Sequence, residues 1–380
     1  MPRGDLFDPL FGADGVAALL DDAAWVRALL DVEAALARAA AAHGVIPAAD
    51  AVQITETALT LDVDLAELGR AAVTGGNPVI PLVRLLREAS GTAGTSVHSG
   101  ATSQDIMDTA LMLLLQRSGV VLLAELRGAA AAAAAFARNH RDTPMTARTL
   151  GQQALPTTFG AVAASWCSGL DRACSRLAAL LGELPVQLGG AAGTLAALHP
   201  HGLAVADSLA EELGLARQGV PWHAERTRVA ELATALGTAA GACAKPATDV
   251  LLLAATEVAE VSEAAPGDSS SMPHKQNPIA AITARAAAHR APGLVSTVLS
   301  GMDGEHQRAA GAWHAEWETL TELMRVTAGA AARVRTSLDG LQVHPEVMRT
   351  NLTLSAMPQS DNHAGDIVDR VLAARAKESP

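Results

Sequence analysis

From Thr102 to His140 the chain runs without a proline and is dominated by Ala and Leu, and Pro144 lies just beyond. A stretch of that length and composition has few options other than one long helix. Thr102 and Asp105 stand at capping-box spacing, so the helix is expected to begin there. The pattern recurs. A second long helix is expected after Pro156, ending before Pro185. A third spans about 223–264, with Pro246 as an internal kink. A fourth opens at Pro278, which suits a first helical position, and a fifth covers about 311–337. Nearer the N-terminus, 16–43 reads as one helix, with Leu29, Val32, Leu36 and Ala39 at helical spacing. Residues 75–87 read as a turn before a short helix, and 91–101, rich in Gly, Ser and Thr, as a loop. Long helices with almost no strand pattern imply an all-α protein, an elongated helical bundle.

Composition narrows this further. Hydrophobic residues are 49% of the 380, yet aromatics are 2% and Tyr is absent. The apolar content is Ala, Leu and Val, which suits helices packed closely along small side chains. Such apolar faces exceed what one exposed bundle can bury, so pairing with further copies is expected. Without Tyr, proton transfer falls to Ser, His, Lys, Cys or a carboxylate. The net charge of −12 argues against a nucleic-acid partner but permits a small anionic substrate held by local cations. Cys167, Cys174 and Cys243 form no metal-like spacing and read as buried thiols of a cytoplasmic protein. The N-terminus lacks the pattern of a secretory signal, and no uncharged apolar run approaches the ~20 residues of a membrane span.

Three polar segments carry the candidate chemistry. The first is His98 to Thr109. Thr102 and Ser103 stand at a helix N-terminus, where free N–H groups favour an anion, and Gln104 adds an amide. Capping explains Thr102 and Asp105 but leaves His98 and Gln104 over. The second, Arg148 to Gly160, taken alone is a polar turn into a helix. The third is Gly267-Asp268-Ser269-Ser270-Ser271-Met272-Pro273-His274-Lys275-Gln276-Asn277-Pro278. Such small residues cannot build a core, and a mobile loop carrying hydroxyls and a cation to an anion accounts for them better. Asn277 is also placed to cap the helix that follows.

This third segment resembles the signature loop of the fumarase/aspartase superfamily, Gly-Ser-Ser-x-Met-Pro-x-Lys-x-Asn. Ser269, Ser270, Met272, Pro273, Lys275 and Asn277 match, and Asp268 replaces the Gly. Within that superfamily the 3-carboxy-cis,cis-muconate cycloisomerase branch is the most similar. The likeness runs from Leu6 to about Leu352, through Gly76 to Pro81, His98 to Thr109, Ala154 to Gly160, Gln187 to Thr194, Glu305 to Arg308 and Trp313 to Glu318.

The resemblance implies a homotetramer around a central helix bundle, with each active site shared between subunits. It divides the chain into an N-terminal helical domain (1–100), a long-helix domain (101–340) with its signature loop at 265–278, and an abbreviated C-terminal segment (341–380). It implies that Ser269 exchanges a proton at the carbon beside a carboxylate, with Lys275 as its catalytic cation. His98, Thr102, Ser103, Gln104, Gln152, Ser270, Met272, Asn277 and Arg308 would contact a di- or tricarboxylate. No metal or organic cofactor is implied. The reaction the resemblance implies is a lactonisation in aromatic catabolism.

The chain also departs from the pattern. Lyases of the superfamily carry a His at the position of Leu150, and Leu cannot transfer a proton. The cycloisomerase branch lacks that His but often has one at the position of Gln153. Leu150 thus favours the cycloisomerase over a lyase; a lyase releasing fumarate from a succinyl-type substrate is the competing enzyme, and a non-catalytic helical assembly protein is the third possibility. Retention of Ser269, Lys275, Asn277, His98 and Gln104 together speaks against the last.

Overall fold

Local sequence sets most helix boundaries. The computed structural model describes residues 6–268, 271, 272, 274–354 and 362–378. The N-terminal part holds α1 (Asp8–Phe11), α2 (Asp14–Ala17), α3 (Asp22–Ala42), α4 (Ala48–Thr60), α5 (Leu65–Gly75) and α6 (Val79–Ala89). The single helix expected over 16–43 is thus two. Asp21 has extended backbone and caps α3, its carboxylate accepting the Ala24 N–H at 2.8 Å. Part of the expected 91–101 loop is a 3-10 turn, Gly91–Ser96.

The central part is built on α7 (Ser103–Asn139), which begins at Thr102 as its capping pattern predicts. A hairpin follows, β1 (Pro144–Thr149) with β2 (Gln152–Thr158), and then α8 (Phe159–Gly182), α9 (Gly202–Leu213) and α10 (Thr227–Leu253). α10 includes Pro246 but stops well short of 264, because β3 (Val261–Glu263) pairs antiparallel with β4 (Leu341–Val343). The helix from Pro278 is also divided, into α11 (Ile279–Ala288) and α12 (Ala291–Ser300), the latter opened by Pro292. α13 (Ala312–Asp339) precedes β4, and α14 (Pro345–Leu354) and α15 (Ala364–Glu378) close the described chain.

α7 packs against α3, α8 and α13, and α10 against α8, α11 and α13. Ala129, Ala130, Ala133 and Ala137 of α7 are fully buried, as are Ala163 and Ala164 of α8. Small side chains let these axes approach closely. Among the described residues α7 alone is long and apolar enough to cross a membrane by length and composition. No comparable run stood out in the sequence. Its N-terminal third packs inside the chain, Gln104 to Leu115 being buried without interruption, whereas its apolar window is 39% buried in the single chain. All three cysteines are buried free thiols.

One dimension governs the site. At 1.5 Å per residue, the 37 residues of α7 span about 55 Å. Its N-terminus follows His98 to Thr102, and its C-terminus leads into the hairpin, anchored where Gly160 N–H donates to His140 O at 2.9 Å. α10 starts beside the first of these ends, through Arg226 and Asp108, and finishes toward the second.

Candidate active site

At the N-terminus of α7, Asp105 does far more than cap. Its fully buried carboxylate accepts the Thr102 N–H at 2.9 Å, the Gly189 and Gly190 N–H groups at 2.9 Å each, and stands 2.6 Å from His223 Nε2. The two glycines are required by that approach. A Cβ on Gly189 would lie 2.7 Å from the His223 ring, and Gly190 has φ +70° with Gly100 O 2.9 Å from where its Cβ would stand. The loop over Gln187 to Thr194 is thereby pinned to the helix end.

Gln104 is 1% exposed and engaged at both ends of its amide. Nε2 donates to His223 O at 2.8 Å and to Asp108 at 3.2 Å, while Oε1 accepts Arg308 Nε at 3.2 Å. Arg308 also donates to Gly190 O at 3.4 Å. Gln104 therefore serves first to hold Arg308 in place. Thr102 and Ser103 are half-buried at the helix end, and His98 lies four residues earlier with Nδ1 2.6 Å from Glu33 Oε1. His98, Thr102, Ser103, Gln104 and Arg308 thus form one cluster within a single chain.

Beneath the cluster lies a charge network. Arg226 donates to both Asp108 oxygens, at 2.8 and 3.1 Å, and to both Glu316 oxygens. The three side chains are 3%, 1% and 2% exposed. Burial pushes the Glu316 carboxyl above its usual range, and Arg226 opposes this. Trp313 Nε1 donates to Asp108 Oδ1 at 3.0 Å. Sequence reasoning missed Glu33, His223, Arg226 and Glu316. For Glu33 a signal existed: with Leu29, Leu36 and Ala40 it shares the apolar face of α3, where a carboxylate demands a partner.

The other candidates lie at the far end of the bundle. The Arg148–Gly160 segment, expected as a polar turn, is the β1–β2 hairpin. Leu150 (φ +52°) and Gly151 (φ +80°) form its two-residue turn, between Thr149 and its partner Gln152. Leu150 and Gln152 are exposed. Arg148 ties the hairpin to the buried Glu260, at 2.9 and 2.7 Å, and Asn351 Nδ2 joins Glu260 at 2.9 Å. Glu260 immediately precedes β3, so the signature loop leaves from the same end.

That loop is closed at its base. Gly267 and Asn277 exchange backbone hydrogen bonds at 2.9 and 3.2 Å, and Asn277 Nδ2 donates to Gly267 O at 3.3 Å. Asn277 does not cap α11. Glu263 does, accepting the Ala280 and Ala281 N–H groups at 3.0 and 2.9 Å. Lys275 and Met272 are exposed, and Lys275 N–H donates to Met272 O at 3.0 Å. Ser269 and Ser270 lie outside the described residues. Among the described residues no group of three or more His, Cys, Asp or Glu side chains converges to hold a metal ion.

A family described as lyase matches residues 5–293. The 3-carboxy-cis,cis-muconate cycloisomerase of Bradyrhizobium diazoefficiens is 47% identical, covering 91% of this chain and 79% of that protein. The nitrosuccinate lyase of Streptomyces davaonensis is 43% identical, covering 97% of this chain and 79% of its own. Among solved structures, the 3-carboxy-cis,cis-muconate lactonizing enzyme of Pseudomonas putida superposes with a TM-score of 0.86 at 37% identity, covering 99% of this chain and 89% of that one. A helix-end cluster, a clasped signature loop and these likenesses over nearly the whole chain agree: the chain belongs to the lyase family of the fumarase/aspartase superfamily.

Proposed function

We propose that the chain is a cycloisomerase that converts 3-carboxy-cis,cis-muconate to a carboxymuconolactone in the β-ketoadipate branch of aromatic catabolism. The observation that carries this reading is that enzymes named for this reaction recur among its relatives in both sequence and structure. Leu150 supports it from the chemistry. It stands fully exposed at the hairpin tip, at the position where the eliminating enzymes use a His, and has no proton to give.

In this reading a substrate carboxylate oxygen adds to a C=C bond and forms the lactone C–O bond. The electron pair moves to the neighbouring carbon, beside a second carboxylate, as an aci-carboxylate. Ser269 gives its proton to that carbon and regains one from solvent. Lys275 lies near the developing dianion, and Arg308 with the α7 N-terminus holds another carboxylate. Gln152, Ser270 and Met272 complete the pocket, and the Asn277 clasp fixes the base of the loop.

The reading also requires several copies of the chain. The α7 cluster and the hairpin–loop cluster lie at opposite ends of a helix about 55 Å long. One chain cannot place both around a small tricarboxylate, whereas copies packed end against end can. Exposed Val120 and Ala124 on α7, and the groove between α10 and α12 lined by Gly237, Val295 and Leu299, support burial against other copies. We propose a homotetramer, about four times the 38.8 kDa chain by light scattering. We place it in the cytoplasm, supported by three cysteines held as free thiols.

The nitrosuccinate lyase relative supports one second reading, elimination of fumarate from a succinyl-type substrate. Proton NMR of reaction mixtures separates the two. Lactone from 3-carboxy-cis,cis-muconate, with no fumarate from nitrosuccinate or adenylosuccinate, is expected. The converse pattern would overturn the cycloisomerase in favour of the lyase.

A further inference from the structure

Glu33 sits mid-way along α3, 1% exposed, on a face otherwise made of Leu29, Leu36 and Ala40. Its Oε1 lies 2.6 Å from His98 Nδ1, and its buried Oε2 has no hydrogen-bond partner. A buried carboxylate with one partner depends on that partner for its stability. His98 has left-handed backbone (φ +64°), a conformation a non-glycine residue adopts only when its surroundings impose it. The bend brings the imidazole onto Glu33. Its side chain keeps 14% exposure, and its Nε2 makes no hydrogen bond among the described residues. The chain then enters α7 at Thr102, so the ring stands beside the cluster that holds Gln104 and Arg308.

The charges around the ring come from three elements. Glu33 belongs to α3, Asp105 to α7 and Arg87 to α6. Burial is the largest single influence and disfavours the charged ring, and Arg87 adds to it. Glu33, by charge and hydrogen bond, together with Asp105, outweighs both, and the His98 pKa is raised. Asp105 is already engaged by four other donors, so Glu33 is the group that holds the proton on Nδ1.

We propose that Glu33 is a positioning residue of this site: it fixes the His98 ring with Nδ1–H toward α3, and so leaves Nε2, when protonated, as a second fixed donor, with Arg308, for a substrate carboxylate. This rests on the carboxylate-substrate reading given above. It assigns to a buried residue of the N-terminal helices a share in the specificity of a site otherwise built from α7 and the loops.

The first test needs no substrate. His98 is titrated by NMR in the tetramer labelled at histidine Cε1, its signal assigned with His98→Gln. The expected pKa lies above the ordinary value of about 6.5, and Glu33→Gln, isosteric and uncharged, should lower it. A wild-type His98 that titrates at or below the ordinary value, or one that Glu33→Gln does not move, overturns the proposal. The wild-type measurement decides this even if the variant does not fold.

The second test separates positioning from mere support of the fold. KM for 3-carboxy-cis,cis-muconate in Glu33→Gln should rise about tenfold at a pH between the wild-type and variant His98 pKa values read by NMR, the effect of losing one charged hydrogen bond, with kcat nearly unchanged. The penalty should shrink as pH falls below the variant's own His98 pKa, where the ring regains its proton. A loss that is the same above and below that pKa marks Glu33 as structural only and overturns the proposal. Wild-type protein that forms no lactone removes the functional reading beneath it, and the NMR titration tells that failure apart from a failure of the Glu33 tie.

Discussion

Replacing Arg226 by Met tests the charge network beneath the site. The change keeps an apolar stem of similar length and removes only the guanidinium. In the native chain that group donates to four carboxylate oxygens and lies over Trp222, 4.8 Å from the ring centroid. After the change Asp108 retains Trp313 Nε1 and Gln104 Nε2, whereas Glu316 loses its cation entirely. Stranding buried carboxylates by removing their partner costs about 3–5 kcal/mol. Spread over an unfolding entropy of about 2.1 cal/mol/K per residue, that is a fall of roughly 4–6 °C in Tm for a chain of 380 residues.

The loss should depend on pH, and its sign is fixed. Burial already raises the Glu316 carboxyl, and without Arg226 nothing opposes it. A carboxyl whose folded pKa exceeds its unfolded one carries no penalty when both states are protonated and its full penalty above the folded value. The gap between Arg226→Met and wild type should therefore narrow as pH falls from about 8 to 5. Calorimetry at matched protein concentration reads it. Arg226→Met combined with Asp108→Asn and Glu316→Gln should recover much of the loss, because no buried charge remains. A single-variant loss under about 1 kcal/mol at pH 8, or a loss independent of pH, would refute the view that this network is a desolvated charge triad.

Other outcomes follow from the same geometry. Gly190→Ala places a Cβ 2.9 Å from Gly100 O at φ +70°, so thermal unfolding should show a loss of about 1–3 kcal/mol. Lys275→Ala should lower kcat/KM by roughly 10²–10³, measured by steady-state kinetics, since it removes the exposed cation of the signature loop. Burial pushes the Cys243 and Cys167 thiols up to about 12 and raises Cys174. Native protein at neutral pH should therefore leave a thiol-disulfide reagent almost unconsumed, while unfolded protein titrates all three cysteines. Leu150→His alone should release no fumarate from nitrosuccinate, because one exposed proton donor at a hairpin tip does not reshape the pocket.

What could be read from sequence divides along physical lines. α7 and α13 were legible because long proline-free runs rich in helix formers have one good local solution, and α7 adds a capping pattern at Thr102 and Asp105. The helix-end cluster was legible because capping left His98 and Gln104 unexplained. The hairpin was not. Its turn puts Leu150 in left-handed backbone, where hairpins are usually announced by Asn-Gly or Asp-Gly. The early end of α10 depends on pairing between Val261 and Val343, 82 positions apart, which no local pattern announces. His223 and Arg226 escaped for the same reason, whereas Glu33 is marked by its place on the apolar face of α3. His223 and Arg226 acquire their roles only when partners from α7 arrive, and the roles of Asp105 and Asp108 expand with them.

The central claim is that a serine of the signature loop protonates carbon during lactonisation, and an ultraviolet assay tests it most directly. Wild-type protein and Ser269→Ala are mixed with 3-carboxy-cis,cis-muconate, and loss of the conjugated diene is followed at equal concentration. The cycloisomerase reading predicts rapid loss with wild type and none above background with folded Ser269→Ala protein of the same oligomeric state. Full activity in Ser269→Ala would contradict the role given to the serine, and a folded wild-type protein that leaves the diene intact would contradict the reaction itself.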